Sequence, residues 1–504
     1  MAFDRTLAAP EGGDVPSVNE PTHELDEPSA GARAIRGAAV RAGGFVAGSL
    51  LAALSAPLIF RALGVVDFGR YTTVISLIAV VAGVTEGGVT AVGVREYAVL
   101  DGPARARLMR NLLGMRIALT MIGCLVSVVF AVVAGYDSEL VLGTAVGSAL
   151  LFVGTLQVTY AVPLFATLVI GRQVIIDVVR QAVTVALIAL LVLVGAGIVP
   201  FIAAQVPPAL GALVFTVFMI RGRMPLVPAF DLAYWRRLLR DTFPVAAATA
   251  VHTIYFRSVI IVMSLVAPAV QTGLFATSYR VIEVVSGLPA LVIGTVFPIL
   301  ARAASSDRDR LAYGFGRLFE VALIGGIWMT GVVALGAHLA VLAIGGSQAA
   351  PAAQVLRLQS ITLLQAFTGS AIVFALLSLR RHRAMMLASI AALAVTVVSA
   401  LVLAPLSGAT GGALSAVLGE LVLGVALLVP LLRGDSGVRL PLAAIPKIVL
   451  AAVLAGAAAL IPGVPDLAAV TMFTVVYFGI LARLGALPHE ISHAFTERLG
   501  RRSA

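Results

Sequence analysis

The feature that most constrains this chain is a series of long apolar runs, each of about 20 residues, separated by short polar connections. A helix of roughly 20 apolar residues is long enough to cross a lipid bilayer. Hydrophobic residues make up 60% of the chain and charged residues only 12%, whereas a soluble domain carries about 25% charged residues. The sequence therefore predicts an all-α polytopic membrane protein.

Fourteen membrane spans are predicted from these runs. They lie near 40–61, 70–93, 112–134, 139–160, 175–195, 199–220, 243–266, 273–300, 317–342, 354–378, 384–404, 410–432, 446–462 and 467–485. Residues 1–32 are rich in Pro, Gly, Asp and Glu and predict a disordered cytoplasmic tail. The predicted organisation is completed by a six-helix half over 33–220, a second over 221–440, a helix pair over 441–486 and a cytoplasmic tail over 487–504.

Arginine is concentrated in the connections that follow even-numbered spans. Those connections contain Arg95, Arg105, Arg107, Arg110, Arg172, Arg221, Arg223, Arg236, Arg237, Arg240, Arg302, Arg308, Arg310, Arg380, Arg381, Arg383, Arg433 and Arg439. Because cytoplasmic loops of membrane proteins collect basic residues, this alternation predicts that both termini lie in the cytoplasm. It also accounts for the net charge of +10 without a nucleic-acid partner.

Two segments six spans apart resemble each other. Residues 69–83 read GRYTTVISLIAVVAG, and residues 273–287 read GLFATSYRVIEVVSG. Six is an even number, so a duplicated copy would re-enter the membrane in the same direction. The repeat predicts two parallel six-helix halves, related by an axis along the membrane normal, plus two C-terminal helices.

Charged residues within the seventh and eighth spans indicate a functional centre. Arg257, Arg280 and Glu283 lie inside apolar runs joined by a turn predicted over 267–273. At about 1.5 Å per residue, both arginines would lie roughly 10–14 Å from that turn and could line one cavity. An intramembrane charge indicates function by default. The alternative is a structural ion pair between Arg257 and Glu283 or Glu420.

Four further charged residues are candidates for function. Glu86 and Glu420 are intramembrane carboxylates that could bind a coupling proton or cation, or could instead hydrogen-bond to a neighbouring helix. Arg61 and Arg70 are expected near the outer mouth, where they could receive the transported substrate or could simply be exposed arginines, which cost little there.

Catalytic and cofactor motifs give no competing interpretation. His489 and His493 flank Glu490 in the spacing of a zinc protease, but this segment follows the last predicted span and lacks a following domain that could supply a third ligand. A glycine-rich GxxxxGK phosphate loop is absent from the sequence. We predict neither a metal nor a cofactor.

Three segments resemble polysaccharide and O-antigen flippases of the multidrug/oligosaccharidyl-lipid/polysaccharide superfamily. They are LGVVDFGRYTTVISL (63–77), VQTGLFATSYRVIEV (270–284) and PLSGATGGALSAVLGE (405–420). Many members of the superfamily carry an acidic residue in the seventh span, where this chain has Arg257 followed by Ser258. That difference argues against a drug exporter with its carboxylate there.

The resemblance implies a flippase of the bacterial inner membrane. Its substrate would be a polyprenyl-diphosphate-linked oligosaccharide, moved from the cytoplasmic to the outer leaflet by alternating access, with membrane lipids and enzymes of glycan polymerisation or glycosyl transfer as partners. A cation-coupled small-molecule antiporter of the same superfamily is the alternative. A membrane-embedded glycosyltransferase or polymerase would require larger outer loops than the few residues predicted here.

Overall fold

The computed structural model describes residues 28–166, 170–222, 224–289, 308–433 and 440–486. Within these ranges the regular secondary structure is helical, and no β-strand is present. The α-helices are α1 (Pro28–Glu86), α2 (Val89–Val99), α3 (Gly102–Val133), α4 (Ser138–Tyr160), α5 (Val162–Ala166), α6 (Ile170–Leu193), α7 (Ile198–Ala203), α8 (Val206–Ile220), α9 (Leu232–Val266), α10 (Ala269–Ser286), α11 (Arg308–Leu335), α12 (Ala337–Gly345), α13 (Ala352–Gln359), α14 (Thr362–Ser378), α15 (His382–Arg433), α16 (Ile445–Ala459) and α17 (Asp466–Arg483). The predicted all-α character is confirmed.

Ten helical segments in the described ranges are long and apolar enough to cross a membrane. Two of them, Leu50–Val99 and His382–Arg433, contain 50 and 52 residues and are therefore long enough to cross twice. The first bends at Gly64 (φ 72°) and the second at Gly408 (φ 59°), backbone angles that glycine adopts without steric cost. The multi-pass architecture is confirmed, while the count of fourteen spans and the cytoplasmic location of both termini stay predictions.

The connection between the seventh and eighth predicted spans is shorter than the sequence indicated. Helix α9 ends at Val266 and α10 begins at Ala269, so two residues, Ala267 and Pro268, make the turn instead of the predicted seven. The turn places α9 and α10 side by side, and the Tyr279 hydroxyl donates a hydrogen bond to the Phe256 carbonyl (2.9 Å). The predicted antiparallel pair is confirmed as far as residue 289, beyond which the eighth span lies outside the described residues.

The two segments of the predicted repeat lie against each other. A Cβ atom on Gly69 would lie 2.7 Å from the Cα atom of Gly273, so only glycine permits this approach. The equivalent threonines make the same local bond, because Thr73 donates to the Gly69 carbonyl (3.0 Å) and Thr277 to the Gly273 carbonyl (2.8 Å). These contacts fit a duplicated helix pair, and the division into two six-helix halves stays a prediction.

The three segments that carry the family resemblance meet at one end of the molecule. Beside the glycine contact, the Gln271 side-chain oxygen accepts a hydrogen bond from the backbone N–H of Ala409 (2.9 Å), just after the bend in α15. Phe60, Phe68 and Phe275 are buried in one apolar cluster with parts of α9 and α12. Close packing therefore joins these helices at the end where the sequence predicts the outer turns.

The connection between α8 and α9 is fixed to α3. The backbone N–H of Ala229 donates to the Arg110 carbonyl (2.8 Å), and Arg107 pairs with Asp231 (2.9 Å). Asp231 also caps α9 by accepting from the backbone N–H of Tyr234 (3.0 Å). That N–H, followed by Arg107, lowers the pKa of Asp231 below its ordinary value, so the cap is charged at neutral pH.

Candidate functional site

A cavity of about 210 Å³ lies between α1, α6, α9 and α10. Its polar or charged lining residues are Ser55, Tyr71, Thr72, Gln181, Thr184, Gln205, Arg257, Tyr279, Arg280 and Glu283. Three of the predicted site residues thus share one cavity inside the helical bundle. Its charged residues come only from α9 and α10, and its other polar residues include several from α1 and α6.

Arg257, Arg280 and Glu283 form an ionic triad. Glu283 Oε1 accepts from Arg257, and Glu283 Oε2 accepts from Arg280 Nη1 at 2.7 Å. The carboxylate is 21% exposed and the Arg257 side chain 16% exposed, so the triad is largely shielded from solvent. Of the two partners considered from the sequence, the structure pairs Arg257 with Glu283.

Two further contacts orient the arginines. The Arg257 guanidinium lies over the ring of Tyr279, 5.6 Å from its centroid, a cation–π contact. Arg280 Nη2 donates to the backbone carbonyl of Ala52 in α1 at 3.2 Å, close to Pro57, which interrupts the hydrogen bonding of that helix. Arg280 therefore connects the ionic triad to α1.

The triad carries a formal charge of +1 and retains hydrogen-bonding capacity. A guanidinium has five N–H donors and a carboxylate accepts through two oxygens. One carboxylate cannot satisfy two guanidinium groups, so N–H donors of Arg257 and Arg280 are available to an anion in the cavity. Such a site suits phosphate, which arginine can bind through two parallel hydrogen bonds.

The rest of the cavity lining is partly apolar and includes uncharged polar side chains that the sequence reasoning missed. Gln181 and Thr184 come from α6, and Gln205 Nε2 donates to the Tyr71 hydroxyl at 3.3 Å. Gln181 and Thr184 are three residues apart, a spacing that places them on one face of α6. That spacing was the available signal.

Glu86 is paired with an arginine that the sequence reasoning also missed. Arg116 of α3 is 1% exposed, donates to Glu86 and Thr90, and donates to the Thr85 carbonyl at 2.9 Å. Helix α1 ends at Glu86, and α2 begins at Val89. Of the two interpretations of Glu86, the contact favours the bond to a neighbouring helix. Arg116 lies within a predicted span, so the rule that selected Arg257 would have selected it.

Glu420 lies in a second, smaller cavity of about 40 Å³. Tyr255 and Thr396 line this cavity too, and Tyr279 is shared by both cavities. Glu420 therefore lies outside the cavity that holds the arginines, in a neighbouring cavity that shares Tyr279 with it.

The arginines predicted at the outer mouth lie away from the central cavity. Arg61 is exposed and donates to the Ala343 carbonyl at 3.4 Å. Arg70 is surrounded by three carboxylates, those of Asp67, Asp137 and Glu139. The zinc-protease-like segment 489–493 lies outside the described residues. Among the residues that are described, no group of three or more His, Cys, Asp or Glu side chains could hold a metal ion.

Solved structures of membrane transporters share this fold. The structure entitled lipid II flippase MurJ, inward closed conformation, superposes with a TM-score of 0.75 at 12% identity, covering 88% of this chain and 98% of that one. An inward-facing multidrug resistance MATE family transporter of the MOP superfamily gives a TM-score of 0.58 at 14% identity, covering 76% and 98%. An outward-facing structure of a multidrug resistance MATE family transporter of the MOP superfamily gives a TM-score of 0.55 at 15% identity, covering 79% of this chain and 95% of that one. At these identities the likeness shows the fold.

Sequence comparison identifies the family. No curated protein sequence matches this chain significantly. The family described as "Polysaccharide biosynthesis protein" matches residues 34–304, more than half of the chain. The match begins within α1 and extends past α10, so it includes both predicted repeat segments and all three residues of the ionic triad. The resemblance seen in the sequence is confirmed, and the chain belongs to the polysaccharide biosynthesis protein family.

Proposed function

We propose that this protein is a flippase that moves a polyprenyl-diphosphate-linked oligosaccharide from the cytoplasmic to the outer leaflet of the bacterial inner membrane. The observation that carries the proposal is the cavity in which Arg257 and Arg280 share one carboxylate. Membership of a polysaccharide biosynthesis family and a fold like that of a lipid II flippase support it.

The arginines address the main energetic obstacle to this reaction. A diphosphate is a dense anion, and an isolated charge at membrane depth is strongly disfavoured. Fixed guanidinium groups in a shielded cavity replace the water that the diphosphate loses. The apolar polyprenyl chain meets no such barrier and stays in the bilayer.

Glu283 holds the two arginines in place when no substrate is bound. It neutralises one positive charge and orients both guanidinium groups towards a common point, where an arriving diphosphate competes with the carboxylate. Binding therefore exchanges one set of ionic bonds for another, which keeps the affinity moderate and permits release on the far side.

The size of the cavity favours the diphosphate over the glycan as its occupant. Pockets for drug-sized ligands have volumes of roughly 300–1,000 Å³, and this one has about 210 Å³. An oligosaccharide would require the helices to separate. Alternating access, with the two predicted halves moving apart on one side and then the other, would provide that space.

Glu420 is the better candidate for ion coupling. Glu86 is engaged by the buried Arg116, whereas Glu420 faces a small cavity next to Tyr279. If Glu420 takes up a coupling proton or cation, Glu420→Gln should make transport insensitive to an imposed ion gradient while diphosphate binding persists. An unchanged response to that gradient would remove Glu420 from coupling.

Loss of one arginine tests the central proposal. We expect Arg257→Ala to abolish export of lipid-linked glycan while the protein still inserts and folds. Arg317→Ala is a matched control, because Arg317 pairs with Glu320 at 3.1 Å on a helix face that does not line the central cavity. Normal export by folded Arg257→Ala protein would exclude Arg257 from the mechanism.

The antiporter alternative makes the opposite prediction. A drug antiporter binds cationic solutes, so cationic compounds should compete for the cavity and Glu283→Gln should weaken their binding. The central cavity contains one carboxylate and two arginines, and this excess of positive charge favours an anionic substrate instead. Transport of the lipid-linked glycan also implies that enzymes of glycan polymerisation or glycosyl transfer act before or after this step.

A further inference from the structure

Helix α6 carries a continuous polar face. Gln173, Asp177, Gln181 and Thr184 are spaced by four, four and three residues, which places them on one side of an α-helix. The opposite side is apolar and exposed, as expected for a lipid-facing surface. Its exposed residues are Ile175, Val179, Val183 and Leu190. We call the first four residues, together with Arg180 at their edge, the α6 polar stripe.

The stripe extends from the central cavity towards one end of the bundle. Gln181 and Thr184 line the cavity, and Gln173 lies eight residues earlier, about 12 Å along the helix axis. The exposed Arg172 precedes Gln173, and the arginine distribution predicts that this end faces the cytoplasm. The polar stripe therefore runs from the expected inner surface to the ionic triad.

Arg180 lies on this route and is incompletely bonded. Its Nη2 atom is 3.8 Å from Asp177 Oδ1, which is beyond hydrogen-bonding distance. Gln173 Nε2 donates to Asp177 Oδ2 at 3.3 Å. Within the described residues, the buried atoms Arg180 Nε and Gln173 Oε1 have no hydrogen-bond partner.

These two buried atoms lie on one face of a spanning helix, although the Arg180 side chain as a whole is 40% exposed. Buried polar groups are normally hydrogen-bonded to protein or water, and an unbonded polar group in an apolar environment is strongly disfavoured. Water or a ligand between α6 and its neighbours would supply the missing partners. A donor such as Arg180 would bind an anion.

We propose that the α6 polar stripe is the access path by which the substrate's diphosphate reaches the central cavity, with Arg180 as its first binding residue. The proposal rests on the proposed function and adds a second anion site to it. Asp177 balances Arg180 when the path is empty. The diphosphate displaces that carboxylate and then passes to Arg257 and Arg280.

Cysteine labelling tests whether the stripe is an aqueous path. Cys124 is the only cysteine, so a Cys124→Ser chain accepts single reporter cysteines at Gln173 and Thr184. Ile175→Cys and Val183→Cys are matched controls on the lipid-facing side of the same helix. Because thiols react as hydrated thiolates, the stripe cysteines should label about tenfold faster or more with a membrane-impermeant reagent. Equal rates at stripe and control positions would overturn the path.

Protection by inorganic diphosphate tests whether Arg180 binds the anion. Diphosphate should slow labelling at Gln173→Cys in the Arg180 protein. This protection should disappear in Arg180→Gln and return in part in Arg180→Lys, which keeps the charge. Full protection in a folded Arg180→Gln protein would contradict the assignment. If Arg180→Gln does not fold, the comparison of protection between Arg180→Lys and the unaltered protein decides.

The second reporter separates this inference from the proposed function. Protection at Thr184→Cys reports the central cavity and should depend on Arg257. If diphosphate protects Gln173→Cys but fails to protect Thr184→Cys, the stripe binds the anion while the central site of the proposed function fails. If only Thr184→Cys is protected, the central site stands and the Arg180 site is refuted.

Discussion

Replacing Glu283 by glutamine separates a binding role of the triad from a purely structural one. The change keeps the shape of the side chain but raises the formal charge of the triad from +1 to +2. If Arg257 and Arg280 bind a diphosphate, the lost carboxylate was repelling it. Glu283→Gln should therefore bind the anion more tightly.

The magnitude follows from the geometry. A phosphate on the far side of a guanidinium lies about 6 Å from the Glu283 carboxylate, where two unit charges interact by about 3 kcal/mol at an effective dielectric constant of about 20. Each 1.4 kcal/mol is tenfold in affinity, and ions in the cavity reduce the effect. We expect an increase in affinity of about ten- to a hundredfold, with slower turnover because the bound state becomes too stable.

The assay is a titration of purified protein with inorganic diphosphate, in which binding is measured by calorimetry or by ligand-induced thermal stabilisation. Glu320→Gln is the matched control, since Glu320 pairs with Arg317 through the same three-residue spacing outside the central cavity. Its affinity for diphosphate should equal that of the unaltered protein. Unchanged or weaker binding by folded Glu283→Gln protein would refute a binding role for the triad and leave it as a helix-joining ion pair.

Two other substitutions test the packing that positions the cavity. Gly273→Ala should abolish transport, because the added Cβ would collide with the Val65 carbonyl. Gly154→Ala is the control and should be tolerated, because a Cβ at Gly154 would meet no atom within 4 Å. Wild-type export by Gly273→Ala would contradict the close contact. Arg116→Met removes one partner of a buried ion pair, a change that typically costs about 3–5 kcal/mol. Because the Glu86 side chain is 42% exposed, we expect a cost nearer the lower value, measured as a fall in thermal stability that Glu86→Gln in the same chain partly restores.

The sequence predicted the triad because its geometry is local. A short connection makes α9 and α10 neighbours, and counting residues from that connection places Arg257 and Arg280 at similar depth. The approach of Gly69 to Gly273 was suggested by the repeat but required the packed structure to be seen. The arrangement of helices can thus be predicted from the sequence where the contacting residues are close in the chain or belong to an internal repeat.

Other contacts could not be predicted because they join distant segments. Arg116 and Glu86 are 30 residues apart and meet only when α3 packs against the end of α1. The uncharged polar residues of the cavity were missed for a different reason. Placing Gln181 or Thr184 in a spanning helix costs less free energy than placing a charge there, so a search for charges at membrane depth does not select them. Their helical spacing identifies them once the lipid-facing side of α6 is known.

The most direct test of the central claim is the sidedness of lipid-linked glycan in cells depleted of this protein. The labelled polyprenyl-diphosphate glycan should collect on the cytoplasmic leaflet after depletion. Restoring the unaltered chain should return it to the outer leaflet, and restoring the Arg257→Ala chain at equal abundance should not. Correctly sided glycan in depleted cells, in a strain without a second flippase for that glycan, would contradict the account.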